Sequence, residues 1–120
     1  MASRTSNPPF LNGVPEMLIL RLLSQRPMYG YELVSAIKLA TGNELEFGEG
    51  SVYPILHRLE AEKLLSAKSQ AVGARTRIVY KTTSRGLAKL EDSISVWRRI
   101  TDAINHALKG GEHGPATVAR

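Results

Sequence analysis

Apolar positions recur along the chain at helical spacing in three early segments. Met17, Leu20 and Leu23, with Leu18, Ile19 and Leu22 around them, predict a strongly apolar helix. Pro15 suits its first turn and Pro27 ends it. A second helix is predicted from about Gly30 to Ala40, with Leu33, Val34 and Ile37 inward and Gly42 as its stop. TGNELEFGEG then reads as a polar loop. In GSVYPILHRLE, at 50–60, Ser51 is a good N-cap and Pro54 then falls in a first turn, where no intrahelical N–H is needed. Val52, Ile55, Leu56, Leu59 and Lys63 share one side of this third helix. Tyr53, Pro54, His57 and Ala61 share the other, flanked by Arg58 and Glu60.

The period then shortens. Leu64–Gln70 predicts a strand, Ala71–Arg75 a turn containing Gly73, and Thr76–Thr82 a second strand with Ile78 and Tyr80 alternating against Arg77, Val79 and Lys81. A final helix is predicted from Thr83 or Ser84 to about Lys109. Leu87, Leu90, Ile94, Trp97, Thr101, Ile104 and Leu108 are spaced alternately by three and four, an a/d seam. At ~1.5 Å per residue this helix is ~40 Å long, too long for so small a domain to cover. Its economical partner is the same helix of a second copy in a two-fold dimer. The expected architecture is mostly α with a small β-hairpin: a flexible tail at 1–12, a winged helix-turn-helix domain at 13–82, a dimerisation helix at 83–109 and a disordered tail at 110–120.

Composition narrows the class. The 120 residues allow one domain with one modest core, and 42% hydrophobic with 22% charged residues is ordinary for a soluble globular chain. With no cysteine, disulfides and thiolate metal sites are excluded. MASRTSNPPFLNGVP has no apolar signal-peptide core, and the longest apolar run, MLILRLL, is short and contains Arg21. No membrane partner is expected, and the cytoplasm is the expected compartment, in association with the nucleoid.

Net charge is +5, and its distribution matters more than its size. Between Lys63 and Lys89 lie Lys68, Arg75, Arg77, Lys81 and Arg85 with no Asp or Glu among them, while Glu44, Glu46 and Glu49 cluster earlier. Such one-sided charge marks an anionic partner. In a helix-turn-helix the second helix of the motif enters the major groove. The outer face of the third helix offers Tyr53, His57 and small Ala61 where a merely wet face would be rich in Lys and Glu. Arg75 and Arg77, placed at the hairpin tip, suit phosphates or the minor groove. The plain alternative for the hairpin is an edge protected by charge, with Lys68 and Lys81 as lesser contacts. Trp97 is first a seam residue; at a two-fold axis it would also face its mate, and two indoles can bracket a planar aromatic effector. His57, His106 and His113 lack metal-ligand spacing, and Ser51 has no neighbouring base. No cofactor and no catalysis are expected. The rival function is a winged helix that binds only protein.

PMYGYELVSAI, GEGSVYPILHRLEAEKLL, the arginine-bearing hairpin and TTSRG together resemble the PadR-like transcriptional regulators of bacteria, over about residues 14–108. The single C-terminal helix bearing Trp97 is similar to the family's smaller subgroup. The resemblance implies a homodimer on a palindromic double-stranded DNA operator, usually a ligand-responsive repressor. Tyr31, Ser51, Tyr53 and His57 would lie at or near DNA, with Arg75 and Arg77 in the wing. Arg58, flanking the outer face of the third helix, is a further DNA-binding candidate on its position alone. Leu90, Ile94, Trp97, Ile104 and Leu108 would form the dimer seam, and Trp97 the wall of an effector cavity. Val79 and Thr82 depart from the family's usual hairpin residues, and Lys63 stands where a glycine usually closes the third helix.

Overall fold

The computed structural model describes residues 13–113. The tail expected at 1–12 lies outside the described residues. The elements run α1 (Val14–Gln25), β1 (Met28–Tyr29), α2 (Gly30–Ala40), α3 (Glu49–Ala61), β2 (Leu65–Val72), β3 (Arg75–Thr82) and α4 (Ser84–His113). Two compact units divide at Leu90 and Glu91. The first is a winged helix-turn-helix domain; the second is the remainder of α4.

In the first unit α1 buries Ile19, Leu20 and Leu23, with Met17 half-buried, and α2 buries Leu33 and Ile37. Val52, Leu56 and Leu59 of α3 complete the helical core, and Leu65 and Tyr80 close it from the hairpin. Thr82 has a specific role here: its buried hydroxyl donates to the Leu20 carbonyl at 2.8 Å and ties β3 to α1. An apolar residue there would remove this tie and leave the carbonyl only the donor of its own helix.

The sheet has three strands in the order β1-β3-β2, not the two of a plain hairpin. Met28 pairs with Tyr80 and Tyr29 with Val79. Two residues between Pro27 and Gly30 are too few to show any alternation, so this strand has no signature in the sequence. The wing turn is also tighter than expected. β2 runs to Val72 and pairs with Arg75, leaving only Gly73 and Ala74 between them. Gly73 takes φ +63° at the first of these positions, as two-residue hairpin loops demand.

Helix α3 starts earlier than its sequence indicates. Gly48 is the N-cap and Glu49 the first helical residue, so Ser51 lies inside and Pro54 falls in the second turn. The proline deprives the Gly50 carbonyl of its i+4 donor, a defect tolerable one turn from the helix start. At the other end Lys63 adopts φ +68°. The Leu64 N–H bonds the Leu59 carbonyl and the Lys63 N–H bonds that of Glu60, both at 2.9 Å. This is a Schellman closure with lysine in the left-handed position where glycine is favoured.

Helix α4 is capped by Thr83, whose Oγ1 accepts the Gly86 N–H at 3.0 Å and donates to the Lys63 carbonyl at 2.8 Å. A Cβ on Gly86 would stand 2.1 Å from the Leu64 carbonyl oxygen, so glycine is required where α4 crosses the start of β2. The helix continues to His113, past the expected end at Lys109, so residues 110–113 are helical and 114–120 lie outside the described residues.

Candidate nucleic-acid interface

Helices α2 and α3 pack together and form the helix-turn-helix. Their outer surface carries Tyr31 near the start of α2, and Ser51, Tyr53 and His57 on α3. Tyr31, Ser51 and His57 are exposed, while Tyr53 is half-buried. The Tyr53 and His57 rings lie 6.3 Å apart, tilted by 51°. Behind Tyr53 sits Gly30. A Cβ at Gly30 would be 2.6 Å from Tyr53 Cε1 and 2.9 Å from its hydroxyl oxygen, so the ring rests directly on the α2 backbone. Burial raises the Tyr53 pKa above its ordinary value, with Glu49 and Tyr31 adding and Arg77 opposing. The phenol therefore remains a hydrogen-bond donor at neutral pH.

The two wing arginines occupy different settings. Arg75 is exposed at the tip, beside the two-residue turn. Arg77 is one step inside, opposite Gln70, and half-buried. Its guanidinium carbon stands 4.9 Å from the Tyr31 ring centroid and 5.9 Å from that of Tyr29. The two tyrosine rings are themselves stacked at 5.7 Å with 13° between their planes. The Tyr29 hydroxyl donates to Gln70 Oε1 at 3.3 Å, and the Tyr29 N–H donates to Glu32 Oε1 at 2.8 Å. Cation–π contact of this kind holds an arginine in place without neutralising it. Lys68 and Lys81 are exposed on the hairpin.

Arg58 is placed differently from expectation. Its Nη2 donates to Glu16 Oε1 of α1 at 2.8 Å and its Nη1 stands 3.5 Å from Glu62 Oε2. The Glu16 hydrogen bond is the main cause of its raised pKa. Its charge is engaged by two carboxylates, so it braces α3 against α1 instead of projecting beside Tyr53 and His57.

Tyr31, Tyr53, His57 and Arg77 are brought together around one groove of about 280 Å³ between the start of α2, the outer side of α3 and strand β3. Thr76, Ile78 and Tyr80 form its β3 wall. Ser51, Arg58 and Arg75 do not line it. Gly30, Tyr29, Gln70 and Thr76 were not singled out by sequence reasoning. The repeated aromatic in MYGYEL was the available signal, but the pairing of Tyr29 with the wing depends on β1.

In the second unit, Ile94 is half-buried, while Trp97 (43%), Ile104 (53%) and Leu108 are exposed on α4. Leu90 belongs elsewhere. It is 2% exposed within the single chain and lies in the first unit, so it serves that domain's core, although Leu87, one seam position earlier, is exposed. Among the described residues no group of three or more His, Asp or Glu could hold a metal ion, and no helix is long and apolar enough to cross a membrane.

Three packed helices, a tyrosine- and histidine-bearing second motif helix and an arginine-bearing hairpin define the winged helix-turn-helix class. Residues 19–92 match the model of the "Transcriptional regulator PadR-like family". The chain belongs to this family of transcriptional regulators. A PadR-like transcriptional regulator from Bacillus cereus is 34% identical, with 86% of this chain and 99% of that one covered and a TM-score of 0.74. Bacillus subtilis PadR, solved in complex with operator DNA, is 25% identical over 68% of this chain and 47% of that one, with a TM-score of 0.64. A transcriptional regulator of Mycobacterium tuberculosis is 38% identical over 63 residues, 52% of this chain and 55% of the relative.

Proposed function

We propose that the protein is a homodimeric, DNA-binding transcriptional repressor that recognises a palindromic operator and is released by a small planar aromatic effector. The observation that carries the DNA reading is the groove between α3 and the wing. On the outer side of a helix-turn-helix it gathers aromatic hydroxyls, an imidazole and an arginine with no ion-pair partner among the described residues. Operator binding by the B. subtilis relative supports the same reading.

In this reading α3 docks in the major groove, Ser51 and His57 approach base edges, and Arg75 reaches the backbone from the wing tip. The stripe Ile94, Trp97, Ile104 and Leu108 pairs with its copy, because so much exposed apolar surface on one helix is costly in water. Pairing sets the two recognition helices about one helical turn of DNA apart, ~34–36 Å. An aromatic effector stacked at Trp97 acts by favouring a dimer arrangement with a different spacing.

Selection from pooled random duplexes at moderate salt tests this. An inverted repeat with half-site centres about one turn apart is expected. Weak, sequence-blind binding would refute operator recognition and favour a protein-interaction role. Quenching or a shift of Trp97 fluorescence by one or more planar aromatics is expected for the effector.

A further inference from the structure

The groove beside α3 has more built into it than exposed side chains. Strand β1 pairs only with Tyr80 and Val79, so among the described residues the edge of β3 from Ile78 to the wing tip has no strand paired to it on that side. Val72 and Arg75 flank the two-residue turn, which makes them a hydrogen-bonded pair. Alternation along an antiparallel ladder then turns the N–H groups of Thr76 and Ile78 away from β2, toward the open edge and the groove. Above that edge stands the Arg77 guanidinium, held against Tyr31 and, through it, Tyr29. The Tyr53 hydroxyl stands across from it, fixed by the close contact of its ring with Gly30.

We propose that this groove is a seat for one backbone phosphate of the operator. Arg77 is its charged ligand, the Tyr53 hydroxyl and the β3 edge N–H groups are its neutral donors, and the Tyr29–Tyr31 stack positions Arg77. The proposal rests on the DNA-binding reading above and deepens it. A phosphodiester offers several acceptor oxygens and one negative charge, which suits one guanidinium among neutral donors. The location also fits, because a recognition helix in the major groove is bordered by phosphates, and this groove runs along the flank of α3 beside β3. Tyr53 is thereby moved from base reading to backbone positioning, since its ring lies back on α2 and does not stand out from α3. Base discrimination falls to His57 and Ser51. Glu49, close enough to Tyr53 to raise its pKa, works against the anion.

The test is a set of affinities for Arg77→Gln, Tyr53→Phe, Tyr29→Ala and His57→Ala, measured across salt on the selected operator and on unrelated duplex. Arg77→Gln should weaken both DNAs by the same factor and flatten the log–log salt dependence by about 0.9 per seat engaged. Tyr53→Phe should weaken both by roughly 10- to 100-fold with the slope unchanged. Tyr29→Ala should weaken both and lose most of its effect in the Arg77→Gln background; the lost ring stack and hydrogen bond should also lower the melting temperature, so affinities are compared at a temperature where a thermal melt shows the variant folded. His57→Ala should weaken the operator alone. An unchanged slope in Arg77→Gln, or a changed base preference in Tyr53→Phe, would overturn the seat. So would inorganic phosphate binding the DNA-free protein below millimolar concentration, which would make this a free-anion site. If the wild type shows no operator preference, operator recognition fails, while the Arg77 slope on unrelated duplex still decides the seat.

Discussion

Substituting Gly30→Ala should impair DNA binding without harming the fold. The new Cβ would lie 2.6 Å from Tyr53 Cε1, 2.9 Å from Cζ and 2.9 Å from the hydroxyl oxygen. Carbon–carbon contacts are comfortable at about 3.5 Å, so the ring must retreat by about 0.9 Å. The obstructing atoms are the end of a half-buried side chain and not backbone, so the ring can yield toward solvent. Gly30 is the first residue of α2 and is not among the residues at positive φ, so alanine carries no backbone strain. Exchanging glycine for alanine in a helix favours the fold by up to about 1 kcal/mol, which offsets the cost of moving the ring. Binding has no such offset. Displacing the hydroxyl removes a hydrogen bond to a charged group, worth about 1.5–3 kcal/mol, or roughly 10- to 100-fold in affinity. Fluorescence anisotropy on operator duplex gives the affinity, and a thermal melt of the free protein checks the fold. Gly110→Ala, whose Cβ would meet nothing within 4 Å, is the control. Unchanged affinity in Gly30→Ala would refute the position assigned to the Tyr53 hydroxyl.

Three further outcomes are expected. Gly86→Ala drives a Cβ to 2.1 Å from the Leu64 carbonyl oxygen, where backbone cannot yield, and should lower stability by about 2 kcal/mol and the melting temperature by roughly 10 °C; a melt within two degrees of wild type, in units of about a quarter of a kcal/mol per degree, would refute the close crossing. Lys63→Gly relieves a left-handed lysine at φ +68° and should raise stability by about 0.5–1 kcal/mol, a few degrees in a melt without DNA; a loss of stability would show that the lysine side chain contributes more than its backbone costs. Ile104→Glu places a charge in the exposed stripe of α4 and should yield monomers in sedimentation, whereas a fully dimeric variant would remove that stripe from the interface.

Much of this architecture was legible because it is written in local periodicity. The helical repeat of Leu33 and Ile37, or of Val52, Leu56 and Leu59, places the buried face without knowledge of the neighbours. The same holds for the strand alternation that ends in Tyr80 and Thr82, and for the three-four spacing that exposes Trp97 and Ile104. Charge segregation in the hairpin and the unusual outer face of α3 likewise need only the order of residues. Family resemblance in the YGYEL and SVYPILHRLE segments drew on that same order.

What escaped was set by partners distant in sequence. Arg58 resembles a free cation until α1 brings Glu16 to 2.8 Å. Leu90 continues the seam by spacing, yet the first unit buries it. β1 exists only because β3 offers an edge to two residues that would otherwise be loop. That short strand carries Tyr29 to the wing, where it meets Tyr31, Gln70 and Arg77. Periodicity can tell which way a residue faces, because that depends on its own helix or strand. It cannot tell what the residue meets there, because packing between elements is decided by contacts across the whole domain. The sequence by itself therefore determined the winged helix, its basic hairpin and the apolar stripe of α4. Only the tertiary structure turned Gly30, Tyr53 and Arg77 into a single groove, since the three approach one another from α2, α3 and β3.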